Sequence, residues 1–232
     1  MARYALTDIH GCLKTFKTML QDVLRLQPTD HLYLLGDYIN KGPDSKGVLE
    51  YIFELQRNGF QLTCLRGNHD QLLLDAVSKG EQAVWLSGED KAKTLENFGV
   101  TSFAEIPELY RTFVQNLPLL VVLEDYVLVH AGLNFSRPNL LATDNHTLMN
   151  TKRQQPTAAK MGHRLLVHGH LPVPQKTIER LCHKPKGAIN LDAGCVYYKN
   201  EEFGKLCALN LDTRELHWLP NQDAPYAIKV KD

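Results

Sequence analysis

The amino-acid sequence predicts an α/β (α+β) fold in which two mixed β-sheets pack face to face and are flanked by helices. Three strand and helix units follow one another in the N-terminal third, which indicates a parallel sheet covered by helices. The C-terminal half is instead rich in short apolar strands. No repeat, low-complexity tract or Pro/Gly-rich linker separates the two halves, so we expect one domain over residues 1–232.

The N-terminal units consist of apolar runs that stop at polar residues, followed by apolar residues at helical spacing. Asp44 and Ser45 are interpreted as caps of the second helix, which should end at Asn58 and Gly59. The third helix should begin with the polar residues at Asn68. The predicted strands cover residues 3–7, 31–35 and 61–65, and the helices cover residues 13–24, residues 48–55 and residues from 68 onward.

A helical insertion, interrupted by Pro107, is predicted after these units at about residues 85–117. Trp85 in this insertion is interpreted as a core aromatic residue. Residues 119–133 predict a β-hairpin that turns at Glu124 and Asp125, and residues 139–160 predict a loop with one helix. Further strands are expected at residues 164–167, 176–181, 188–191, 204–211 and 215–219, the last two forming a hairpin.

Composition and charge exclude several classes of partner. Lys plus Arg equals Asp plus Glu at 26 each, and the sequence shows no basic patch, so we expect no nucleic-acid partner. No apolar segment is long enough for a signal peptide or a membrane span. The five cysteines are scattered and contain no CxxC pair, which is typical of a reducing compartment. We therefore expect a cytoplasmic protein without a membrane partner, and its oligomeric state stays open.

Polar clusters follow five of the predicted strands. Loops at the carboxyl ends of strands in open α/β sheets converge on one crevice, so that distant clusters become neighbours. Their carboxylate, imidazole and amide groups suit Mn2+, Fe or Zn2+ better than Ca2+ or Mg2+, which prefer oxygen ligands alone. The clusters contain Asp8 and His10, Asp37, Asn68 and His69, His130, and His168 and His170.

The spacing of these residues favours metal binding. Asp8 and His10 alternate along an extended segment, which would direct both side chains toward one ion. Asp8 and Asp37 end apolar runs, where an unpaired carboxylate is costly, so metal pairing explains them better than helix capping. Asp37 could bridge two ions, and two ions about 3.5–4 Å apart with a bridging hydroxide form the usual arrangement for displacement at phosphorus. Asn68 could also cap the third helix, which is compatible with a ligand role.

The chain contains, in this order, the motifs DIHG, GDYINKGPDS, LRGNHD, VHAGL and VHGHLP. They resemble the successive motifs of the calcineurin-like metallophosphoesterases, and within that family the bacterial and phage serine/threonine protein phosphatases and the diadenosine tetraphosphatases. A later segment, INLDAGCVY, is also similar, so the resemblance extends over nearly the whole chain. It implies the four-layer metallophosphoesterase fold.

The resemblance also implies the roles of individual residues. Two divalent metal ions would be cofactors, with Mn2+ expected first and Fe, Zn2+ or Ni2+ as alternatives. His69 would be the general acid that protonates the leaving oxygen, whereas His168 falls where the family varies and is not expected to bind metal. The implied ligands are Asp8, His10 and Asp37 for the first ion, and Asp37, Asn68, His130 and His170 for the second.

Two departures from the family pattern lie next to each other. Asn40 replaces the Asp that orients the catalytic His; its amide can still accept a hydrogen bond but lacks the charge, so His69 should be less basic. Lys41 replaces an Arg that holds the substrate phosphate, and it offers a single point contact instead of a planar fork. The resemblance therefore implies that both positions affect the reaction.

A second phosphate-binding Arg of the family aligns with Thr151, which is followed by Lys152 and Arg153. We therefore expect the substrate phosphate to be held by Lys41, Asn68 and Arg153.

These features together predict a dinuclear, metal-dependent phosphoesterase that attacks its substrate with a metal-bridging hydroxide. The expected substrate is a phosphomonoester, on a phosphoprotein or a small molecule, or a nucleotide phosphoanhydride. The alternative is a weakened or inactive family member that binds metal or phosphorylated partners, which the changes at Asn40, Lys41 and Thr151 motivate. We favour the enzyme because every implied metal ligand and His69 are present.

Overall fold

Two β-sheets form the centre of the protein in the computed structural model, which describes residues 1–152 and 158–228. The strands are β1 (Arg3–Leu6), β2 (His31–Leu34), β3 (Gln61–Cys64), β4 (Leu120–Val122), β5 (Tyr126–Val129), β6 (Leu165–His168), β7 (Ala188–Asn190), β8 (Lys205–Asn210) and β9 (Leu216–Pro220). All nine strands overlap residues for which the sequence predicted a strand or a hairpin arm.

Helices connect and cover the strands. They are α1 (Leu13–Thr18), α2 (Ser45–Arg57), α3 (Asn68–Lys79), α4 (Gly88–Phe98), α5 (Glu108–Asn116), α6 (Asn145–Asn150), α7 (Ala158–Met161) and α8 (Gln175–Cys182). A π-helical turn, Met19–Val23, continues α1, and 3-10 turns occupy Glu81–Ala83, Phe103–Glu105 and Leu140–Ala142. The predicted helical insertion therefore corresponds to α4 and α5, and Pro107 lies immediately before α5.

The first sheet has the strand order β3-β2-β1-β8-β9. Its three N-terminal strands are parallel, with Leu6 opposite Leu34 and Leu34 opposite Cys64. Parallel neighbours need crossover connections, and α1 and α2 provide them. Strands β8 and β9 form an antiparallel hairpin, and β8 pairs antiparallel with β1. This sheet is mixed, as the sequence predicted.

The second sheet has the order β4-β5-β6-β7. Strands β4 and β5 form the predicted antiparallel hairpin, whereas β5, β6 and β7 are parallel. The parallel pairing of β6 and β7 explains one wrong prediction. Residues 176–181 were expected to form a strand but lie in α8, the crossover helix that this pairing requires. Ile178 and Cys182, one helical turn apart, bury the same face of α8.

Side chains that alternate along the strands build separate cores. Ala5 and Leu209 of the first sheet share a buried cluster with Leu128 and Val167 of the second, so the sheets pack face to face. The neighbouring Leu6 belongs instead to a cluster with residues of the first three helices.

The outer face of the second sheet is covered in the same way. Val129 and Leu166 share a third cluster with Leu148 of α6 and Met161 of α7. The layers are thus helices, sheet, sheet and helices, which confirms the predicted fold. Residues 139–160, expected to contain one helix, include α6 and the start of α7, although residues 153–157 lie outside the described part of the chain.

Five strands end close to the same edge of the two sheets. Each of the polar clusters predicted from the sequence lies at or shortly after the end of one of these strands, which are β1, β2, β3, β5 and β6. The fold therefore brings these clusters into one crevice. In the described part of the chain, none of the helices has the length and apolar character needed to cross a membrane.

Candidate metal centre

Strained backbone conformations concentrate in the loops that follow these strands. Among the described residues, six of the eight non-glycine residues with positive φ lie there. Left-handed conformations of such residues cost about 1–3 kcal/mol each and persist only where surrounding contacts hold them. The six are Asp8 (54°), His10 (47°), Asp37 (58°), Asn40 (69°), Lys41 (68°) and His170 (78°).

The atoms that face one another in the first subsite are Asp8 Oδ1, His10 Nε2 and Asp37 Oδ2. His10 Nε2 lies 3.5 Å from Asp37 Oδ2 and 3.9 Å from Asp8 Oδ1. His10 Nδ1 lies 3.0 Å from the carbonyl oxygen of Ile39. Because a carbonyl can only accept, Nδ1 carries the proton and the lone pair of Nε2 faces the carboxylates. This subsite thus presents three donors to a cation.

The second subsite consists of Asp37 Oδ1, Asn68 Oδ1, His130 Nε2 and His170 Nδ1. Asn68 Oδ1 lies 2.9 Å from the ring nitrogens of both His130 and His170. His130 Nε2 is also 3.5 Å from Asp37 Oδ1, and its Nδ1 faces the carbonyl oxygen of Leu35 at 3.0 Å. Amide, imidazole and carboxylate atoms therefore converge on one point between them.

Asp37 connects the two subsites, since one of its carboxylate oxygens faces each of them. Its side chain is buried, and burial raises the pKa of Asp37 well above its usual range, with further contributions from the charges of Asp8 and Asp70. A cation between these groups would offset this cost.

The residues present fit a pair of divalent ions. Asp8 Oδ1 is buried and has no hydrogen-bond partner among the described residues, although Asp8 Oδ2 accepts from the Thr7 hydroxyl at 2.7 Å and the His170 amide at 3.0 Å. A buried carboxylate oxygen without a partner is costly, and a metal ion would satisfy it. Ligand atoms of Asp37, His130 and His170 lie within 4.8 Å of one another, as do those of His10, Asp37 and His69.

Sequence reasoning missed Asp70, which holds the loops of the site together. Its buried carboxylate accepts hydrogen bonds from the backbone amides of Asp37 at 2.8 Å, Tyr38 at 3.0 Å and Gly67 at 2.9 Å. An acidic residue in the first turn of α3 could have indicated this role, because carboxylates there commonly accept from backbone N–H groups.

Two glycines let the loops approach the carboxylates closely. A Cβ atom on Gly67 would lie 2.1 Å from Asp37 Oδ1, and one on Gly169 would lie 2.1 Å from Asp8 Oδ2. Neither position can therefore carry a side chain without displacing a candidate ligand.

Asn40 contacts His69 through its amide nitrogen. Nδ2 lies 3.3 Å from His69 Nδ1 and 3.2 Å from the His69 carbonyl oxygen. That carbonyl can only accept, which fixes the nitrogen end of the amide on this side, and Asn40 Oδ1 lies 2.9 Å from the Thr94 hydroxyl.

The hydrogen bond expected from the sequence is therefore reversed in direction, since Asn40 donates to His69 instead of accepting from it. Nδ1 of His69 is the acceptor, and the neutral ring carries its proton on Nε2. Burial lowers the pKa of His69 well below its ordinary value, and the positive charge of Lys41 adds to this effect. The expected effect of the missing carboxylate at Asn40 is a separate contribution and stays a prediction.

Lys41 contacts a donor atom of the first subsite. Its Nζ lies 3.0 Å from His10 Nε2 and 5.4 Å from the centre of the Tyr197 ring. Burial disfavours the charge of Lys41, but Tyr197, Asp37 and Asp8 favour it more strongly, so the pKa lies above its ordinary value. Tyr197 was also missed from the sequence, although it lies in the INLDAGCVY segment.

A pocket of about 650 Å³ opens over the site. Trp85 is 59% exposed at this pocket, with its ring centre 4.9 Å from that of His69. The interpretation of Trp85 as a core residue was therefore wrong; the indole follows a 3-10 turn and packs against His69 instead of the helical core. The pocket is also lined by Lys41, Asn68, Lys152, His170 and Tyr197.

The structure brings together all six predicted metal ligands, together with His69, Asn40 and Lys41. Arg153, the third residue predicted to bind phosphate, lies outside the described residues. His168 is buried and its Nδ1 lies 3.1 Å from the Gly169 carbonyl oxygen. Burial lowers the pKa of His168 to about 4.

Comparison with known proteins identifies a family model that matches this chain and curated proteins that are similar to it. A family model described as calcineurin-like phosphoesterase matches residues 1–213. The symmetrical bis(5'-nucleosyl)-tetraphosphatase of Nitrosospira multiformis is 39% identical over 135 residues, which are 57% of this chain and 44% of the relative. The enzyme of that name from Pseudomonas putida is 42% identical over 82 residues, 35% of this chain and 27% of the relative. The chain thus spans less than half the length of these relatives.

Solved structures resemble the chain along almost its whole length. A candidate diadenosine tetraphosphatase is 25% identical, with a TM-score of 0.65, and the match covers 96% of this chain and 94% of that chain. A cold-active protein-tyrosine phosphatase from Shewanella is 15% identical, with a TM-score of 0.61 and coverage of 98% and 80%, and shares the fold.

Proposed function

The chain belongs to the calcineurin-like phosphoesterase family, as its motifs predicted, and we propose on this premise that it hydrolyses phosphoesters or phosphoanhydrides with two divalent ions. The observation that carries the proposal is the position of Asp37, whose two oxygens face two separate groups of donor atoms. This arrangement supports a pair of ions that share one carboxylate.

The proposed ligands combine oxygen and nitrogen donors, which supports Mn2+ as the first ion to test, with Fe, Zn2+ and Ni2+ as alternatives. When bound, the ions would supply positive charge to the phosphoryl oxygens and lower the pKa of the attacking water. Asp8, His10 and Asp37 would hold the first ion, and Asp37, Asn68, His130 and His170 the second.

We assign His69 to protonation of the leaving oxygen. Its proton lies on Nε2, because Asn40 donates to Nδ1 from the other side of the ring. A neutral imidazole is a weaker acid than an imidazolium ion. The arrangement therefore favours substrates whose leaving group is already stable as an anion, such as a nucleotide released from a phosphoanhydride.

The shape of the pocket supports a nucleotide substrate. The exposed indole of Trp85 offers a surface on which a base can stack, and Lys41 and Lys152 place positive charge along the same pocket. The curated relatives are named for hydrolysis of dinucleoside tetraphosphates. We therefore place dinucleoside polyphosphates ahead of phosphoproteins and small phosphomonoesters.

Hydrolysis of a substrate panel tests this proposal. The purified chain is incubated with Mn2+ and diadenosine tetraphosphate, p-nitrophenyl phosphate or a phosphopeptide, with and without a chelator. We expect chelator-sensitive release that is fastest with the dinucleotide and is lost in Asp37→Ala. The absence of metal-dependent product release with Mn2+, Fe2+, Zn2+ and Ni2+ would refute the proposed hydrolytic activity.

A family member that binds without turnover is the second candidate. The observation that favours it is the pair of changes at Asn40 and Lys41, which weakens His69 as an acid and places an ammonium beside His10. Tight binding of Mn2+ and of a non-hydrolysed dinucleotide, without product, would support this candidate.

A further inference from the structure

Lys41 places a positive charge against one of the ligand atoms of the first subsite. Its Nζ lies 3.0 Å from His10 Nε2. Because Nδ1 of His10 donates to the Ile39 carbonyl, Nε2 offers its lone pair to Lys41, whose ammonium can only donate. The atom that would bind the ion is thus already in contact with a cation.

The carboxylates of this subsite approach the same nitrogen, although Lys41 Nζ forms no ion pair with either of them among the described residues. Asp37 Oδ2 and Asp8 Oδ1 lie 3.5 Å and 3.9 Å from His10 Nε2, and both side chains are buried. An ammonium ion and a divalent ion at the same ring nitrogen repel each other strongly, since buried charges are poorly screened. Nε2 has one lone pair, so it cannot accept from the ammonium and bind the ion at the same time.

The backbone directs Lys41 toward this position. Asn40 and Lys41 both have left-handed conformations, with φ of 69° and 68°. The loop is fixed further because the amide of Asn40 donates to Ser45 Oγ at 2.9 Å and the amide of Gly42 donates to the Asn40 carbonyl at 2.8 Å. A rigid backbone limits the positions that the ammonium can reach.

We propose that Lys41 is a built-in competitor for the first divalent ion, so that the two subsites fill in sequence and the first fills only when the ammonium leaves His10. The inference rests on the metal centre proposed above and adds the order of its loading. Lys41 lines the pocket and lies beside the Tyr197 ring, so the displaced ammonium stays within reach of a substrate phosphate. Loss of the contact between Lys41 and His10, and gain of a contact between Lys41 and the substrate phosphate, would thereby be linked.

Titration of the metal-free chain with Mn2+ tests the proposal without any substrate. Free Mn2+ is followed by its electron paramagnetic resonance signal, which gives the number of bound ions and a dissociation constant for each. We expect the wild-type chain to bind one ion at least tenfold more tightly than the other. In Lys41→Met the weaker site should tighten at least tenfold, while the tighter site changes less than twofold.

Three further variants make the test specific to the charge at this position. Lys41→Gln is a second neutral variant and should behave like Lys41→Met, which guards against a folding defect in either one. Lys41→Arg retains a cation and should keep the unequal sites. Lys152→Met removes a lysine from the same pocket away from His10 and should leave both constants unchanged.

The possible outcomes separate this inference from the proposed function. Dissociation constants within twofold of wild type in both neutral variants would overturn the competition, as would equal behaviour of the neutral and Arg variants. Unequal loading that depends on Lys41, without hydrolysis of any substrate, would support the competition and refute the enzyme. Failure of every variant to bind Mn2+ would overturn both.

Discussion

Replacing Asn40 with Asp should strengthen His69 as an acid, and the effect should depend on the leaving group. The carboxylate would lie about 3.3 Å from His69 Nδ1, where Asn40 Nδ2 now lies. Two unit charges at that separation interact by about 5 kcal/mol at an effective dielectric constant of about 20, as an upper limit. Asp would therefore accept a proton on Nδ1 and favour the imidazolium form.

A positioned general acid contributes about 10²–10⁴-fold to a rate. We expect Asn40→Asp to raise kcat/KM by about tenfold to a hundredfold for an alkyl phosphate, whose leaving oxygen needs a proton. For p-nitrophenyl phosphate, whose leaving group is stable as an anion, we expect kcat/KM to rise less than about threefold. Steady-state kinetics with both substrates and Mn2+ measure the difference.

The matched control is Asn97→Asp, which makes the same chemical change at an amide that contacts Ser45 and Pro43 instead of His69. This control should leave the ratio of kcat/KM for the alkyl phosphate to kcat/KM for p-nitrophenyl phosphate unchanged. Asn40→Asp also loses the bond from Nδ2 to the His69 carbonyl, so its melting temperature should fall. Equal rate changes for both substrates, or a slower alkyl phosphate, would refute the role assigned to Asn40.

Three other predictions concern stability and reactivity. Asp8→Asn should raise the melting temperature of the metal-free chain by about 2–4 °C per kcal/mol gained, because it removes an unpaired buried carboxylate oxygen. It should reduce the further rise on adding Mn2+ without abolishing it, since the second subsite does not use Asp8. A lower metal-free melting temperature would contradict this. Gly67→Ala should lower the free energy of unfolding in urea by about 1–3 kcal/mol, because its Cβ meets Asp37. The control Gly88→Ala has open space around its Cβ and should stay within about 1 kcal/mol of wild type. Equal effects of the two substitutions would argue against crowding at Asp37. The five cysteines are buried, and burial raises the pKa of Cys64 to about 12. The native chain should therefore not react with Ellman's reagent at pH 8 before it unfolds. Rapid reaction of the folded chain with the reagent would contradict this by showing an accessible thiol.

Most of the fold could be predicted because its strands are short apolar runs with distinct ends. Helix α8 was predicted as a strand although Ile178, Leu181 and Cys182 have helical spacing, because a segment of six residues is too short for periodicity to separate the two structures. The segment is helical because β6 and β7 pair in parallel and need a crossover between them. This pairing joins residues that are distant in the sequence. Local periodicity carries no information about such pairing.

The convergence of the polar clusters could also be predicted, because parallel strands end at a common edge. The direction of the Asn40 contact could not, since it depends on the His69 carbonyl and on Thr94, 54 residues away in the insertion. The exposure of Trp85 was missed for a similar reason, because an aromatic residue near helical segments most often joins the core. The roles of individual site residues stay predictions.

The central claim is that two divalent ions lie on either side of Asp37. Anomalous diffraction from a crystal soaked in Mn2+ tests it directly. We predict one strong peak among Asn68, His130, His170 and Asp37, and a weaker peak among Asp8, His10 and Asp37. An absence of anomalous peaks within coordination distance of Asp37, at Mn2+ concentrations that saturate binding in solution, would contradict the account.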